Sequence, residues 1–153
     1  MIRINIIAVG KLKEKYLRDA CAEYLKRLSA FAKVNIIEVG EYKSDDISQV
    51  LSKEGESIAA KIPKGSYIIP MCIEGTELSS EEISDKIEKI SLQNSEITFI
   101  IGGSNGIADE VKKLGDFRLS FGKITLPHQL MRVVLLEQIY RALSISNNSK
   151  YHK

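Results

Sequence analysis

The spacing of apolar residues changes period several times along the chain. Ile2 to Val9 is rich in β-branched apolar residues and closes at Gly10, which predicts a strand running into a turn. Leu17, Ala20, Cys21, Tyr24, Leu25 and Leu28 then recur at steps of three and one, the period of an amphipathic helix. Val34 to Val39 predicts a second strand closed by Gly40, and Ser44-Asp45-Asp46 opens a helix carrying Ile47, Val50, Leu51 and Ile58. Pro63-Lys64-Gly65 reads as a turn, and Tyr67 to Ile73 as a third strand ended by Gly75.

Ser79 and Glu82 form a capping box, whose reciprocal hydrogen bonds satisfy amides left over at a helix start. The helix they open places Ile83, Ile87 and Ile90 on one face. Ile97 to Ile101 shows no alternation, as in a central strand covered on both sides. Beyond Gly102-Gly103-Ser104-Asn105-Gly106 a short helix and a short strand near Arg118 to Phe121 are expected, then a last helix from about Leu130 to Ser146. That helix is apolar nearly all round (Leu130, Met131, Val133 to Leu136, Ile139, Tyr140, Leu143), so it is buried on several sides, within one subunit or between two. Strands alternating with helices predict an α/β fold with a mostly parallel sheet and helices on both faces. No repeat or linker interrupts residues 1–153, which read as a single domain.

Composition narrows the class. The chain has 153 residues, 44% hydrophobic and 27% charged, which excludes disordered, collagen-like and coiled-coil proteins. Its longest apolar stretches are too short to span a bilayer, and no small-residue cleavage site follows Met1-Ile2-Arg3-Ile4. Cys21 and Cys72 form neither a metal spacing nor a disulfide framework, which suits the cytoplasm. The net charge of +2 conceals an asymmetry: residues 1–50 sum to +2, residues 51–100 to −4 and residues 101–153 to +4. Basic ends are compatible with a polyanionic partner, although the balance is far from that of a dedicated nucleic-acid binder.

Open α/β sheets bind ligands beyond the carboxyl ends of their strands. Three loops there are unusual: Glu74-Gly75-Thr76, Gly102 to Gly106, and Phe121 to Pro127. The glycine loop either presents amides to a ligand or is a tight turn needing positive φ; it lacks the pattern of a P-loop or a dinucleotide fingerprint. Pro127 suits a helix start and keeps Leu126 extended, so Lys123 to Leu126 can offer main-chain groups to a purine edge; the alternative is a plain loop. Arg141 has Glu137 one turn before it as an intrahelical partner, whereas Arg132 finds only Gln129 and Leu136 at helical spacing, which leaves a phosphate or carboxylate contact open. Lys11, Lys13, Lys15 and Arg18 read as a solvated helix start or a phosphate contact. Tyr151-His152-Lys153 is either a frayed end or a group able to stack a base and titrate near neutrality. His128 and His152 are the only imidazoles, which argues against a histidine-rich metal site, and no metal is expected.

Together these pieces resemble the ribosomal RNA large subunit pseudouridine N3-methyltransferases of the SPOUT superfamily. The residues that match are Ala8-Val9-Gly10-Lys11, Ile100 to Gly106, Thr125-Leu126-Pro127-His128, Arg132-Val133, Glu137 to Ala142 and Tyr151-His152-Lys153, in order over the whole chain. The resemblance implies a homodimer with a C-terminal trefoil knot, an element that general topology rules would reject. It implies S-adenosylmethionine as cofactor, held at Met71, Gly102, Phe121, Gly122, Lys123, Ile124, Thr125 and Leu126, where the family often has leucine at the first of these. It implies methylation of N3 of a pseudouridine in a hairpin loop of 23S ribosomal RNA, on the assembled ribosome and with no membrane partner. His152, or less readily His128, is then a candidate for removing the N3 proton, and Arg132 for holding phosphate or steadying charge. Two other readings stand beside it: a ribosome-binding factor without cofactor, and a small-molecule enzyme using the glycine loop for a phosphate.

Overall fold

Strands and helices alternate through the computed structural model, which describes residues 1–153. They run β1 (Ile2–Val9), α1 (Lys15–Leu28), β2 (Ala32–Val39), α2 (Ile47–Lys61), β3 (Tyr67–Glu77), α3 (Ser80–Ser91), β4 (Glu96–Ile101), α4 (Asp109–Lys113), β5 (Leu119–Ser120) and α5 (His128–Ser146). The strands form one five-stranded sheet in the order β2-β1-β4-β3-β5, and every pairing is parallel. The expected class therefore holds, with the two non-alternating strands β1 and β4 side by side at the centre.

The pleat divides the core in two. Ile4, Ile6 and Ala8 with Ile97, Phe99 and Ile101 face one side, where Leu28 of α1, Ile83 and Ile87 of α3, and Leu135, Leu136 and Ile139 of α5 cover them. Ile7, Val9 and Ile100 face the other side, covered by Ile58 of α2 and Val111 of α4. Polar groups fix the central register: Asn5 pairs with Asn35 and Thr98 across the sheet, Asn35 Nδ2 donates to Asn5 Oδ1 at 3.2 Å, and the Thr98 hydroxyl donates to Ser66 Oγ at 3.0 Å. A one-residue slip would bury these groups without partners.

Two boundaries near the site differ from expectation. β3 runs past Gly75 to Glu77, because a glycine lets the strand approach β5 closely: a Cβ there would lie 2.9 Å from the Arg118 carbonyl group. Between Met71 and Thr76 the pairing with β5 is irregular, which bends the strand. α5 begins at His128, directly after Pro127. The capping box forms as expected, with the Glu82 amide donating to Ser79 Oγ at 3.1 Å and the Ser79 amide to Glu82 Oε1 at 2.9 Å. Within one chain α5 is fully buried only along the stripe Arg132, Leu135, Leu136, Ile139, Ala142, Leu143 and Ser144, while Val133 and Val134 are half-covered and Leu130 is exposed. No helix is long and apolar enough to cross a membrane.

Phe99 is 1% exposed at the centre of the larger core. Phe99→Ala is expected to cost about 3–5 kcal/mol, read as a lowered urea midpoint with an unchanged slope.

Candidate active site

The carboxyl ends of β3 and β4 open onto a cavity of about 670 Å³. Its apolar walls are Met71, Ile101, Ile107, Leu126 and Met131, its floor is the glycine loop, and Thr125, Pro127 and His128 close one side. A smaller apolar cavity of about 90 Å³ adjoins it, sharing Met71, Thr125 and Leu126 and adding Phe121, Gly122 and Ile124. Seven of the eight expected cofactor positions thus converge on two connected spaces; Lys123 is exposed and lines neither.

Each wall has a local cause. Lys123 to Leu126 belong to no strand or helix, and their amides and carbonyls take part in no main-chain hydrogen bond. Pro127 φ is −55°, and the first turn of α5 closes behind it with the Met131 amide on the Pro127 carbonyl at 2.9 Å. A ligand's polar edge can therefore meet unspent main chain beside an apolar wall. Ser120 secures the preceding turn: its hydroxyl donates to the Ile73 carbonyl at 2.9 Å and accepts from the Gly122 amide at 3.0 Å.

The glycine loop is shaped by close contact as much as by backbone angle. Gly106 has φ +84°, but Gly102 and Gly103 do not lie in the left-handed region. A Cβ at Gly102 would collide with the Gly106 carbonyl, and one at Gly103 would lie 3.1 Å from Val9 Cγ1 and 3.2 Å from Glu54 Oε1. The expectation of a turn needing positive φ holds at one glycine of the three.

Arg132 is placed differently from the phosphate contact left open by its helical neighbours. Its side chain is 2% exposed, Nη1 donates to Glu38 Oε2 at 2.6 Å, and Nη2 to the Gly10 carbonyl at 3.2 Å. The guanidinium is committed to the ends of β1 and β2, so it has no face toward an external phosphate. Gln129 adds a second tie, accepting the Lys13 amide at 3.1 Å, and His128 Nε2 lies 3.6 Å from Glu41 Oε1. The basic group after β1 is also partly engaged, with Arg18 donating to the Leu12 and Lys13 carbonyls and Lys15 paired with Asp19 at 2.6 Å.

His152 does not reach the cavity of its own chain. Arg141 Nη1 lies 3.1 Å from Nδ1, and Nε2 lies 2.7 Å from Glu81 Oε1. Because arginine only donates, Nδ1 accepts and the Nε2 hydrogen goes to Glu81. That contact, followed by its own backbone amide, holds the Glu81 carboxyl below its usual range. Tyr151 packs edge-on against Tyr140 at 4.7 Å and lies under the Arg141 guanidinium. Arg141 is ten residues beyond Met131, which puts this cluster roughly 15 Å along the helix from the cavity.

Two lining groups escaped sequence reasoning. Lys112 Nζ donates to Glu74 Oε1 at 2.5 Å at the cavity rim, across 38 positions that no local period connects. This hydrogen bond holds the Glu74 carboxyl below its ordinary value and the Lys112 ammonium above its own. Cys72 also lines the space; burial pushes its thiol up, so it is a poor nucleophile.

A family model described as "Predicted SPOUT methyltransferase" matches residues 2–152. The chain belongs to the SPOUT methyltransferase family. It is 50% identical over 159 aligned residues to ribosomal RNA large subunit methyltransferase H of Streptococcus gordonii, covering 99% of this chain and 100% of that one. The Leuconostoc citreum protein of the same name is 51% identical with the same coverage. Among solved structures, the tRNA (m1G37) methyltransferase of Aquifex aeolicus aligns over 92% of this chain and 69% of that one, with TM-score 0.52 and 13% identity, a likeness of fold alone. As a SPOUT methyltransferase the chain uses S-adenosylmethionine as its methyl donor.

Two outcomes test this geometry. Glu38→Ala leaves the Arg132 charge buried without its partner and is expected to cost about 2–3 kcal/mol in urea unfolding. Glu74→Gln is expected to lower the melting temperature at neutral pH. Because the folded Glu74 pKa is depressed, the difference is complete above about pH 5 and closes as pH falls through the lowered value.

Proposed function

We propose that this protein transfers a methyl group from S-adenosylmethionine to N3 of a pseudouridine in a hairpin loop of 23S ribosomal RNA, acting as a homodimer on the assembled ribosome. The observation that carries the reading is the unspent main chain of Lys123 to Leu126 beside the apolar walls Met71 and Leu126 and the glycine loop. Such a site suits an adenosine-bearing ligand, whose base takes main-chain hydrogen bonds while its faces lie on apolar side chains. Met71, Gly102, Thr125 and Leu126 would hold the donor, with Phe121, Gly122 and Ile124 at its apolar end. Lys123 is left to contact RNA phosphate from its exposed position. The trefoil knot is part of this proposal, with β5 and α5 passing beside the glycine loop.

The bound donor supplies a methyl already activated by its positive sulfur. The protein's own tasks are then to align N3, exclude water and receive one proton. A base in looped RNA leaves its stack at small cost, which favours a hairpin substrate. Half-covered Val133 and Val134 and exposed Leu130 favour a second copy against α5. The 15 Å between the Tyr151-His152 cluster and the cavity of the same chain, estimated from helix rise, favours a site completed by the partner's tail. In that arrangement His152 leaves Arg141 and Glu81, and its freed Nδ1 takes the N3 proton. Arg132, tied to Glu38, acts by holding α5.

Ribosomes from a strain lacking the methyl group, incubated with the protein and S-adenosylmethionine, are expected to gain one methyl on a pseudouridine, read by mass spectrometry of 23S fragments. His152→Ala and a donor-cavity variant, Gly102→Val, are each expected to be inactive as homodimers. Co-expressed, they regain about a quarter of wild-type activity, because half the dimers pair one intact cavity with one intact tail. No recovery in mixed dimers would place the tail in its own chain's site.

A further inference from the structure

Glu54 of α2 is the only acidic residue among the buried ones, 4% exposed. Its Oε2 accepts the Tyr42 amide at 3.1 Å, and its Oε1 has no hydrogen-bond partner. None of the molecule's ion pairs includes it. On its outer side lies a polar cavity of about 550 Å³, where Glu41 and Asp45 outnumber Lys43. A carboxylate buried in this way destabilises a fold unless positive charge comes near it.

Its inner side points to where that charge arrives. Oε1 would be 3.2 Å from a Cβ on Gly103, and Gly103 lines the 670 Å³ cavity. Only a glycine backbone separates the uncompensated carboxylate from the donor cavity, and any side chain at residue 103 would push it away. We propose that Glu54 reads the charge of the methyl donor, favouring cationic S-adenosylmethionine over its uncharged-sulfur product, S-adenosylhomocysteine. This rests on the donor-cavity reading above. In the transfer the bond between methyl and sulfur breaks and its electron pair stays on sulfur, while the methyl bonds to N3 and the N3 proton leaves to a base. The sulfur loses its positive charge, Glu54 loses its counter-charge, and the product is released more readily than the donor.

Calorimetry on the wild-type dimer and Glu54→Gln, which keeps an acceptor for the Tyr42 amide, tests the idea. The variant is expected to weaken S-adenosylmethionine on the order of tenfold, the size of a unit-charge attraction at an intermediate effective dielectric, while S-adenosylhomocysteine changes by less than about twofold. Equal weakening of both ligands, or of neither, would overturn it. A comparison needing no variant uses a donor analogue with a protonated amine in place of the sulfonium. The wild type is expected to bind that analogue and S-adenosylmethionine alike and S-adenosylhomocysteine more weakly, and equal affinity for all three would refute the proposal. If none of the three bound the wild type, the donor-cavity reading would fall together with this one; a failure confined to charge discrimination would leave that reading standing.

Discussion

A guanidinium taken out of water needs its charge and its donors met, and Arg132 meets this demand through Nη1 and Nη2 at one place only, its Nε staying without a partner. Its partners, Glu38 and the Gly10 carbonyl, lie at the ends of β2 and β1, so the pair fixes where α5 sits against the sheet. The position of α5 in turn fixes Pro127, and with it the extended segment whose main chain faces the cavity. Gln129 and His128 reach toward the same strand ends, which makes the first turn of α5 a polar clamp above an apolar body. The wall of the site is therefore held from outside the site.

Two kinds of close approach shape the cavity floor. Gly102 packs on the carbonyl of Gly106, and Gly103 on the carboxylate of Glu54. The first leaves the floor free of side chains; the second sets the Glu54 carboxyl directly behind it. Opposite them, Ser120 locks the turn after β5 through Ile73 and Gly122. On the proposed reading this cavity would be a firm donor site with few groups of its own for the acceptor, consistent with a tail supplied by a second copy.

Much of the fold could be read from one dimension. Period-two and unbroken apolar runs marked β1, β2 and β4, and steps of three and four marked α1, α2 and α3, because burial on one face or two leaves that imprint directly. The capping box was legible because its partners lie three residues apart. The end of β3 was not, since Gly75 looks like a terminator until β5 is placed beside it. Of the candidate site, the glycine loop and the Thr125-Leu126-Pro127 segment were visible as local backbone chemistry. Glu38 with Arg132, Glu74 with Lys112, and Glu54 behind Gly103 were invisible, because each joins residues 38 to 94 positions apart or meets through backbone contact alone.

By itself, then, the order of residues determined an α/β sheet with covered centre strands, a proline-started apolar last helix, and loops suited to hold a ligand. These follow from short-range sterics and from the period at which apolar groups must be buried. Folding in three dimensions decided which charges would be neutralised. It drew Arg132 inward to Glu38, held His152 away from its own chain's cavity, and left Glu54 uncompensated. Electrostatic pairing depends on distance through space, and the spacing of residues along a chain does not encode that distance.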